Sequence, residues 1–488
     1  MGREQTWEDP SERILHDDLG VATWSVAIEQ NITEASSDSV PRATASIASR
    51  MERLPVCGFH RRFVALVSIG AWYEVFDIFM TAYLGAALQT FHFLTLQQFS
   101  YLIAAGFVGM FIGTNLVGLA ADYVGRRTAF VGLLLFYSAF SIAGAFAPNA
   151  NILILLRFLA GIGIGGQLIV VDTYVSEIVP SYARGRYVAI SQFAGFTSVP
   201  VAALVTSLLV PTHWLIDGWR WVMIIGGSGA LLAWTLMRRL KESPRWLESR
   251  GWHLEAEQLM DVIEREVERE TKKPLPPPQP LPVESAQHMP FQDLWQPAYR
   301  SRTILLMVFQ VLQTIGFYGF ANWAPTFMLH EGRNLGESLN FGFLFALMNP
   351  LGPIVGVFTT ERFERKYALV ILSLLMAGTG MVFAFARATL SIVLIGCLLT
   401  MLSSWFASIF HAYQAELFPT RARATGVGFT YGWSRLSAVF STVFIGVLLV
   451  HGILTVFTFI AAAMCCAAIV VGVWGPRTNS VALERLSQ

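Results

Sequence analysis

Twelve long apolar stretches constrain this chain of 488 residues more than any other feature of its sequence. Most of them hold about 20 residues or more with hardly a charge, the length that a helix needs to cross a bilayer core of roughly 30 Å. Charged residues make up only 14% of the sequence, against about a quarter in soluble domains. We therefore predict an all-α membrane protein with twelve transmembrane helices. They lie near 62–88, 98–121, 127–147, 151–174, 187–210, 219–238, 301–325, 338–360, 367–386, 390–413, 424–449 and 452–474.

Basic residues fall mainly in alternate loops between these stretches. The segments DYVGRR, PSYARGR, ERFERK and PTRAR all lie on one side, and the opposite loops carry little beyond Arg333 and Arg387. Because loops rich in Lys and Arg stay on the cytoplasmic side, both termini are predicted to be cytoplasmic, in a cell (inner) membrane. The net charge of +1 leaves no basic surplus for phosphates, so no nucleic-acid partner is expected.

The sequence repeats itself at an offset of 239 positions. In YVSEIVPSYAR and YQAELFPTRAR, the offset places Tyr174 and Glu177 on Tyr413 and Glu416. It also places the segment DYVGRR on ERFERK. Two independent motif pairs at one offset indicate two parallel six-helix halves related by pseudo-symmetry. Such an architecture places a substrate site between the halves, near the bilayer midplane.

The repeat and the composition define five predicted regions. The six-helix halves cover 61–238 and 301–475, and a cytoplasmic loop at 239–300 connects them. This loop contains a charged helical stretch and PLPPPQPLP, which predicts a stiff polyproline spacer. Cytoplasmic tails are predicted at 1–60 and 476–488.

Acids and bases recur beside each other in the loops on the predicted cytoplasmic side. Short loops that hold both charges at helix ends can form ion pairs and release them when the halves rock; simple marking of topology by arginine is the alternative. Glu364 stands where the first half has Gly125, which permits a tight turn, so the second loop is expected to be looser. The predicted cytoplasmic gate consists of Asp122, Arg126, Arg127, Glu177 and Arg184, with Glu361, Arg365, Lys366, Glu416 and Arg423 in the second half.

Two carboxylates lie in the middle of the first apolar stretch. Glu74 and Asp77 are three residues apart, so they share a helix face near mid-depth. An acid there costs about 2.5–3.5 kcal/mol on insertion scales, and such residues face a cavity or a partner. The offset places Gln313 and Gly316 at the equivalent positions, so duplication of the scaffold does not account for the acids. We predict that Asp77 carries a proton and that Glu74 tunes it.

Arg435 is the basic residue deep in the second half, where its repeat counterpart is Phe196. A guanidinium offers a two-pronged set of donors to a carboxylate, so we predict that Arg435 anchors an anionic substrate. The alternative is that Arg435 and Asp77 pair and neutralise each other. Arg157 is predicted to be a structural partner within the first half. The candidate residues lining the site are Tyr73, Gln167, Gln313, Tyr318, Asn322 and Trp323.

Two motifs rich in glycine or proline interrupt the apolar stretches. GIGIGG, from Gly161 to Gly166, follows no strand and has no P-loop lysine, so it predicts close helix packing and not phosphate binding. NPLGP, from Asn349 to Pro353, should kink or open the eighth span, as a static bend or as a hinge. No histidine is central enough to be a strong candidate proton carrier. No nucleophile–base, metal-ligand or Walker pattern indicates an enzyme or a cofactor.

Several motifs carry a resemblance to a known family. GLAADYVGRR, KESPRWL and the paired Y-x-x-E-x-x-P-x-x-x-R segments resemble signatures of the major facilitator superfamily, over roughly 51–475. YGFANWAPTFM is similar to helix seven of bacterial nicotinate and related metabolite–proton symporters. The segment EVFD resembles the D-G-x-D motif of aromatic-acid–proton symporters, with Glu74 for the first Asp and Val75 for the Gly.

The residues and the resemblance together predict a symporter that moves a small organic acid with protons by alternating access. Its expected partners are the substrate, protons and the lipid bilayer, and a monomer is expected. A sugar or polyol–proton porter, or a multidrug exporter, is the alternative within the fold. KESPRWL favours a sugar porter, whereas helix seven and Arg435 disfavour it. A non-transporting membrane ligand sensor is the alternative of another class, but the polar tail and loop are too small for a signalling domain.

Overall fold

The computed structural model describes most of the chain beyond the N-terminal tail. It covers residues 46–229, 231, 235, 240–278, 291–359, 362–418 and 420–477, with side chains except at 116–122, 168, 291, 293, 298, 357, 415 and 420–425. Three residues of the predicted cytoplasmic gate therefore lie outside the described part: Glu361 entirely, and Asp122 and Arg423 as side chains.

Helices form most of the described residues between 46 and 278. They are α1 (Ile47–Glu52), α2 (Gly58–Thr90), α3 (Leu96–Val124), α4 (Arg126–Ala145), α5 (Ala150–Ile178), α6 (Ser181–Phe196), α7 (Ser198–Leu209), α8 (Gly218–Gly227), α9 (Pro244–Ser249) and α10 (His253–Thr271). Two short strands, β1 (His213–Trp214) and β2 (Ile216–Asp217), pair in an antiparallel hairpin before α8.

The second part repeats this helical organisation after a short 3-10 turn at Phe291–Trp295. Its helices are α11 (Pro297–Ala321), α12 (Ala324–His330), α13 (Leu335–Ala346), α14 (Leu351–Thr359), α15 (Arg365–Phe385), α16 (Thr389–Glu416), α17 (Thr420–Leu449) and α18 (Ile453–Trp474).

Eleven segments of the described part are helices long and apolar enough to cross a membrane. The sixth predicted span begins with α8, and most of its remaining residues lie outside the described part. The predicted all-α membrane fold is confirmed, apart from the two-residue strands, and the described part shows eleven of the twelve predicted transmembrane helices.

Glycines bring α3 and α5 into close contact. A Cβ atom on Gly161 would lie 2.4 Å from the carbonyl oxygen of Gly106, and one on Gly165 would lie 2.1 Å from that of Met110. No side chain larger than hydrogen fits at either position, because the two backbones approach each other directly. The prediction that GIGIGG serves helix packing is confirmed.

Proline-containing segments divide three of the spans. The NPLGP motif separates α13, which ends at Ala346, from α14, which begins at Leu351, so the predicted opening of the eighth span is confirmed. The fifth span is broken at Thr197, three residues before Pro200, and the seventh at Asn322 and Trp323, before Pro325. Because proline lacks an N–H and disfavours helical geometry in the preceding residue, each break lies just before or at a proline.

The two halves contact each other towards one end of the bundle. We call the end that carries α1, α9 and α10 the basic face, and the other end the opposite face. The rings of Phe107 and Tyr318 are 4.8 Å apart between centroids, and those of Phe99 and Trp323 are 5.1 Å apart. All four residues lie between mid-depth and the opposite face, so these aromatic contacts join the halves there.

Candidate functional site

Asp77 lies fully buried in α2, where groups from two other helices hold it. Arg157 of α5 places Nη1 2.5 Å from Oδ2 of Asp77 and donates from Nη2 to the main-chain oxygen of Asp77 at 2.7 Å. Ser141 of α4 donates a hydrogen bond to Oδ1. The alternative of an Asp77–Arg435 pair is therefore wrong, because the partner of Asp77 is Arg157, within the first half as predicted for that arginine.

Glu74 lies one helical turn from Asp77 but in a different state. Its side chain is 1% exposed, and neither carboxyl oxygen has a hydrogen-bond partner in the described part of the chain. Gln167 of α5 is also fully buried, and neither atom of its amide has a partner there. A buried polar group without a partner costs free energy, so each such group calls for a functional explanation.

Arg435 is 2% exposed and is oriented by two tyrosine hydroxyls. Its Nη1 donates to Oη of Tyr318 at 2.8 Å, and its Nη2 donates to Oη of Tyr431 at 2.7 Å. Its Nε has no partner in the described part. A guanidinium has five N–H donors, so these two bonds leave donors for a further group. Glu74, from the other half, lies within electrostatic range of Arg435.

Two further titratable residues flank this centre, and sequence reasoning missed their role. Asp172 of α5 is exposed and accepts a hydrogen bond from Nε2 of Gln192 at 3.5 Å. It lies within electrostatic range of Glu74 and Tyr431. Asp172 is thus an exposed acid near groups of both halves, six residues from the end of α5.

His411 is the counterpart of Asp172 in the second half, since their numbers differ by the repeat offset of 239. It is also exposed, and its ring centroid is 6.3 Å from that of Tyr431. The sequence prediction set it aside as too near the end of its span. The repeat offset is the signal that could have found both residues, because it places an acid and an imidazole at equivalent positions.

The predicted lining residues separate into groups. Tyr318 contacts Arg435, and Gln313 belongs to a hydrogen-bonded chain nearby. Tyr73 instead accepts a hydrogen bond from Ser228 at 3.4 Å and lines a cavity of about 680 Å³ between α2 and α6. Asn322 lines a space of about 20 Å³, and Trp323 packs against the ring of Phe99 towards the opposite face. These last three residues do not surround Arg435.

Ion pairs of the predicted cytoplasmic gate form within each half. Nη2 of Arg126 lies 3.0 Å from Oε1 of Glu177, and Nη1 of Arg365 lies 2.6 Å from Oε2 of Glu416. The two pairs occupy equivalent positions of the repeat. Lys366 is half-buried beside the second pair.

Two acids that the sequence analysis did not single out complete the basic face of the first half. Glu242 accepts hydrogen bonds from the backbone N–H groups of Arg126 at 2.9 Å and Arg127 at 3.1 Å. Burial raises the pKa of Glu242, although these hydrogen bonds act against the shift. Glu52 of α1 lies 3.2 Å from Nη2 of Arg184 and 2.7 Å from Nη2 of Arg245. The first half is thus joined to α1 and α9 by charged contacts.

Comparison with known proteins supplies the family. Residues 56–488 match the family described as sugar (and other) transporter. The putative metabolite transport protein YyaJ of Bacillus subtilis is 31% identical over 89% of this chain and 96% of that protein. The niacin transporter NiaP of Acinetobacter baylyi is 28% identical over 90% and 99%, and the 4-hydroxybenzoate transporter PcaK of Pseudomonas putida is 26% identical over 80% and 87%.

A solved structure agrees in fold. The inward-open xylose transporter XylE of E. coli superimposes with a TM-score of 0.70, covering 88% of this chain and 99% of that one at 17% sequence identity. At this identity the likeness concerns the fold alone, which is that of two six-helix halves.

Proposed function

Because this chain belongs to the sugar (and other) transporter family of the major facilitator superfamily, we propose that it is a proton-coupled symporter for a small organic acid. The family makes the chain a multi-pass membrane transporter and not an enzyme. The substrate class, an aromatic or nicotinate-type carboxylate, and the proton coupling are our proposal. We also propose that the protein imports its substrate by alternating access and is a monomer. The basic face and both termini are proposed to be cytoplasmic.

One observation carries the proposal: Arg435 and Glu74, from different halves, lie within electrostatic range of each other, and both have unused hydrogen-bonding capacity. Two tyrosine hydroxyls orient the guanidinium and leave donors free, and both oxygens of Glu74 lack a partner in the described part. A substrate carboxylate would accept hydrogen bonds from the free donors of Arg435, and a proton would neutralise Glu74. Niacin and 4-hydroxybenzoate, which name two relatives, are both aromatic carboxylic acids.

Charge balance then links the substrate to the proton. Glu74 lies within electrostatic range of Arg435, so in the proposed cycle it serves as the counter-ion of Arg435 before substrate binds. When a substrate anion takes this place, an ionised Glu74 would be a second buried negative charge, which is costly without a partner. Proton uptake by Glu74 removes that cost. One proton therefore accompanies one acid through the site.

The contacts favour a reversal of the roles predicted for the two acids. Asp77 accepts from Arg157 and Ser141, so its carboxylate already has its partners. Glu74 has none in the described part, and it lies within electrostatic range of Arg435, the proposed substrate anchor. We therefore assign proton transfer to Glu74 and propose that Asp77 fixes the packing of the first half.

The experiment is uptake into proteoliposomes with an imposed pH gradient, acidic outside. The panel contains nicotinate, 4-hydroxybenzoate, benzoate, short aliphatic carboxylates, xylose and an organic cation. We expect accumulation of an aromatic acid, abolished when the gradient is collapsed. Accumulation of xylose and of no acid would contradict the proposal and favour the sugar-porter alternative. Accumulation of an acid that survives collapse of the gradient would contradict the proton coupling alone.

A further inference from the structure

A chain of buried amide side chains leads from α11 to the exposed His411. Nε2 of Gln313 donates to Oε1 of Gln310 at 3.0 Å, and Nε2 of Gln310 donates to Oε1 of Gln414 at 3.0 Å. Nε2 of Gln414 then lies 3.0 Å from Nδ1 of His411. The three glutamines are at most 9% exposed, whereas His411 is exposed. The chain therefore ends at an exposed imidazole.

The orientation of the Gln414 amide sets which nitrogen of the imidazole carries the proton. As the amide is oriented in the structure, its nitrogen donates to Nδ1 of His411. An imidazole that accepts at Nδ1 is neutral and carries its proton on Nε2. His411 thus offers an N–H donor at the atom that Gln414 does not occupy.

Tyr431 connects this donor to the proposed anchor. Its hydroxyl accepts from Nη2 of Arg435, whose Cζ lies 4.8 Å from the ring centroid of Tyr431. The same ring lies 6.3 Å from the His411 ring, at an interplanar angle of 49°. Tyr431 therefore lies between Arg435 and His411. The three residues place a cation, an aromatic ring and a neutral hydrogen-bond donor next to one another.

We propose that His411 is a specificity-determining residue whose Nε2–H recognises a hydrogen-bond acceptor on the ring of the substrate. The carboxylate lies at Arg435, the ring lies against Tyr431, and a ring nitrogen or ring-bonded oxygen accepts from His411. This inference rests on the proposed function and narrows its substrate class to aromatic acids that carry an acceptor away from the carboxylate. One hydrogen bond from a neutral donor should favour such an acid over benzoate by about 3- to 10-fold.

The test measures binding, so it does not depend on turnover. Purified protein in detergent is titrated with benzoate, nicotinate and 4-hydroxybenzoate, and dissociation constants are taken from the shift in the thermal unfolding midpoint. We expect nicotinate or 4-hydroxybenzoate to bind about 3- to 10-fold more tightly than benzoate. His411→Phe should remove this preference while leaving benzoate binding within about twofold. His411→Gln, which keeps an N–H donor, should retain part of it.

The control is His451→Phe, which alters an exposed histidine between α17 and α18 at the opposite face and should leave all three constants unchanged. If benzoate binds as tightly as both other acids, or if His411→Phe leaves their ratio unchanged, the inference is wrong while the proposed function stands. If His411→Phe unfolds, the ratio of dissociation constants in His411→Gln tests the inference instead. A preference for nicotinate or 4-hydroxybenzoate as strong as in the unmodified protein would show that the imidazole N–H is not the specific donor, and the inference would be wrong. Binding of no carboxylate at all would overturn the inference and the proposed function together.

Discussion

The two halves of this transporter share one scaffold but differ in chemistry at equivalent interior positions. In the first half, Asp172 accepts from Gln192; at the same positions the second half has His411 beside Tyr431. The first half supplies the acids and the second supplies the imidazole, the phenols and the buried Arg435. A substrate with one carboxylate and one ring is itself asymmetric, so a site that binds it cannot be symmetric.

At the basic face the halves are alike. Arg126 pairs with Glu177 just as Arg365 pairs with Glu416. In the proposed alternating-access cycle, the halves move against each other at this face, whereas the substrate meets the interior. The comparison indicates that the repeat specifies the moving scaffold and that departures from the repeat specify the cargo. Substitutions at matched positions can test this division.

The largest effect is expected from Arg435→Gln. Removing one partner of a buried, hydrogen-bonded charge contact costs about 2–5 kcal/mol, so kcat/KM for acid uptake should fall about 30-fold or more. Arg435→Lys keeps the charge but loses the planar fork, and should recover only part of the activity. The matched control is Phe196→Leu at the equivalent position, expected to stay within about threefold. Equal losses at both positions in the proteoliposome assay would show that the interior is not divided as described.

The two carboxylates of α2 are expected to contribute differently to the free energy of unfolding. Asp77→Asn leaves Arg157 as a buried cation without its counter-ion, so the free energy of unfolding should fall by about 3–5 kcal/mol. Glu74→Gln removes a carboxylate that has no hydrogen-bond partner in the described part, so the fold should lose little or nothing. Unfolding in detergent, followed by circular dichroism, measures both. Similar losses for the two variants would contradict the structural role of Asp77.

The turns at the basic face offer a smaller contrast between the halves. Gly125 has φ +96° and ψ 157°, and a Cβ there would lie 2.5 Å from Oε2 of Glu242. Gly125→Ala should cost about 1–3 kcal/mol of stability, since this backbone conformation is essentially restricted to glycine. Glu364, the equivalent residue, has φ −60°, so Glu364→Ala should change stability by only about 0.5 kcal/mol. Thermal unfolding midpoints of the two variants make the comparison, and an unaffected Gly125→Ala would contradict it.

The smallest expected effect is the pH dependence of α1. Burial alone would raise the pKa of Glu52, but hydrogen bonds from Ser181 and Arg245 outweigh it and lower the pKa below the ordinary value of 4.5. The contribution of Glu52 to docking is therefore complete above pH 4.5 and is lost as the pH falls through the lower value in the folded state. We expect about 1 kcal/mol or less, seen as smaller hydrogen-exchange protection factors in α1 at low pH, after correction for the pH dependence of the intrinsic exchange rate. Glu52→Gln should exchange faster at neutral pH and lose this dependence.

Much of the architecture could be predicted because it depends on the lengths of the apolar stretches and on the offset of the internal repeat. The spans follow from apolar runs, the two halves from Tyr174 and Tyr413, and the opened eighth span from the prolines of NPLGP. The same reasoning singled out Arg435, since a charge in an apolar stretch is visible without coordinates.

The pairing of side chains could not be predicted. Whether Asp77 meets Arg157 or Arg435 depends on how each helix is rotated about its axis, and both arginines are compatible with the sequence. Asp172 and His411 were missed because they lie near the ends of their spans, where polar residues are ordinary. Tyr73 and Trp323 were predicted to line the site, but their side chains contact Ser228 and Phe99 instead.

The assignment of the proton to Glu74 is tested most directly by comparing two kinds of transport in Glu74→Gln. Accumulation of the acid against its gradient, driven by an acidic exterior, requires a group that loads and unloads protons. Exchange of labelled for unlabelled acid at equal pH requires only binding and movement of the halves. We predict that Glu74→Gln loses accumulation and retains exchange. If Glu74→Gln still accumulates the acid when the pH gradient is imposed, Glu74 is not the coupling group and the account of the site is wrong.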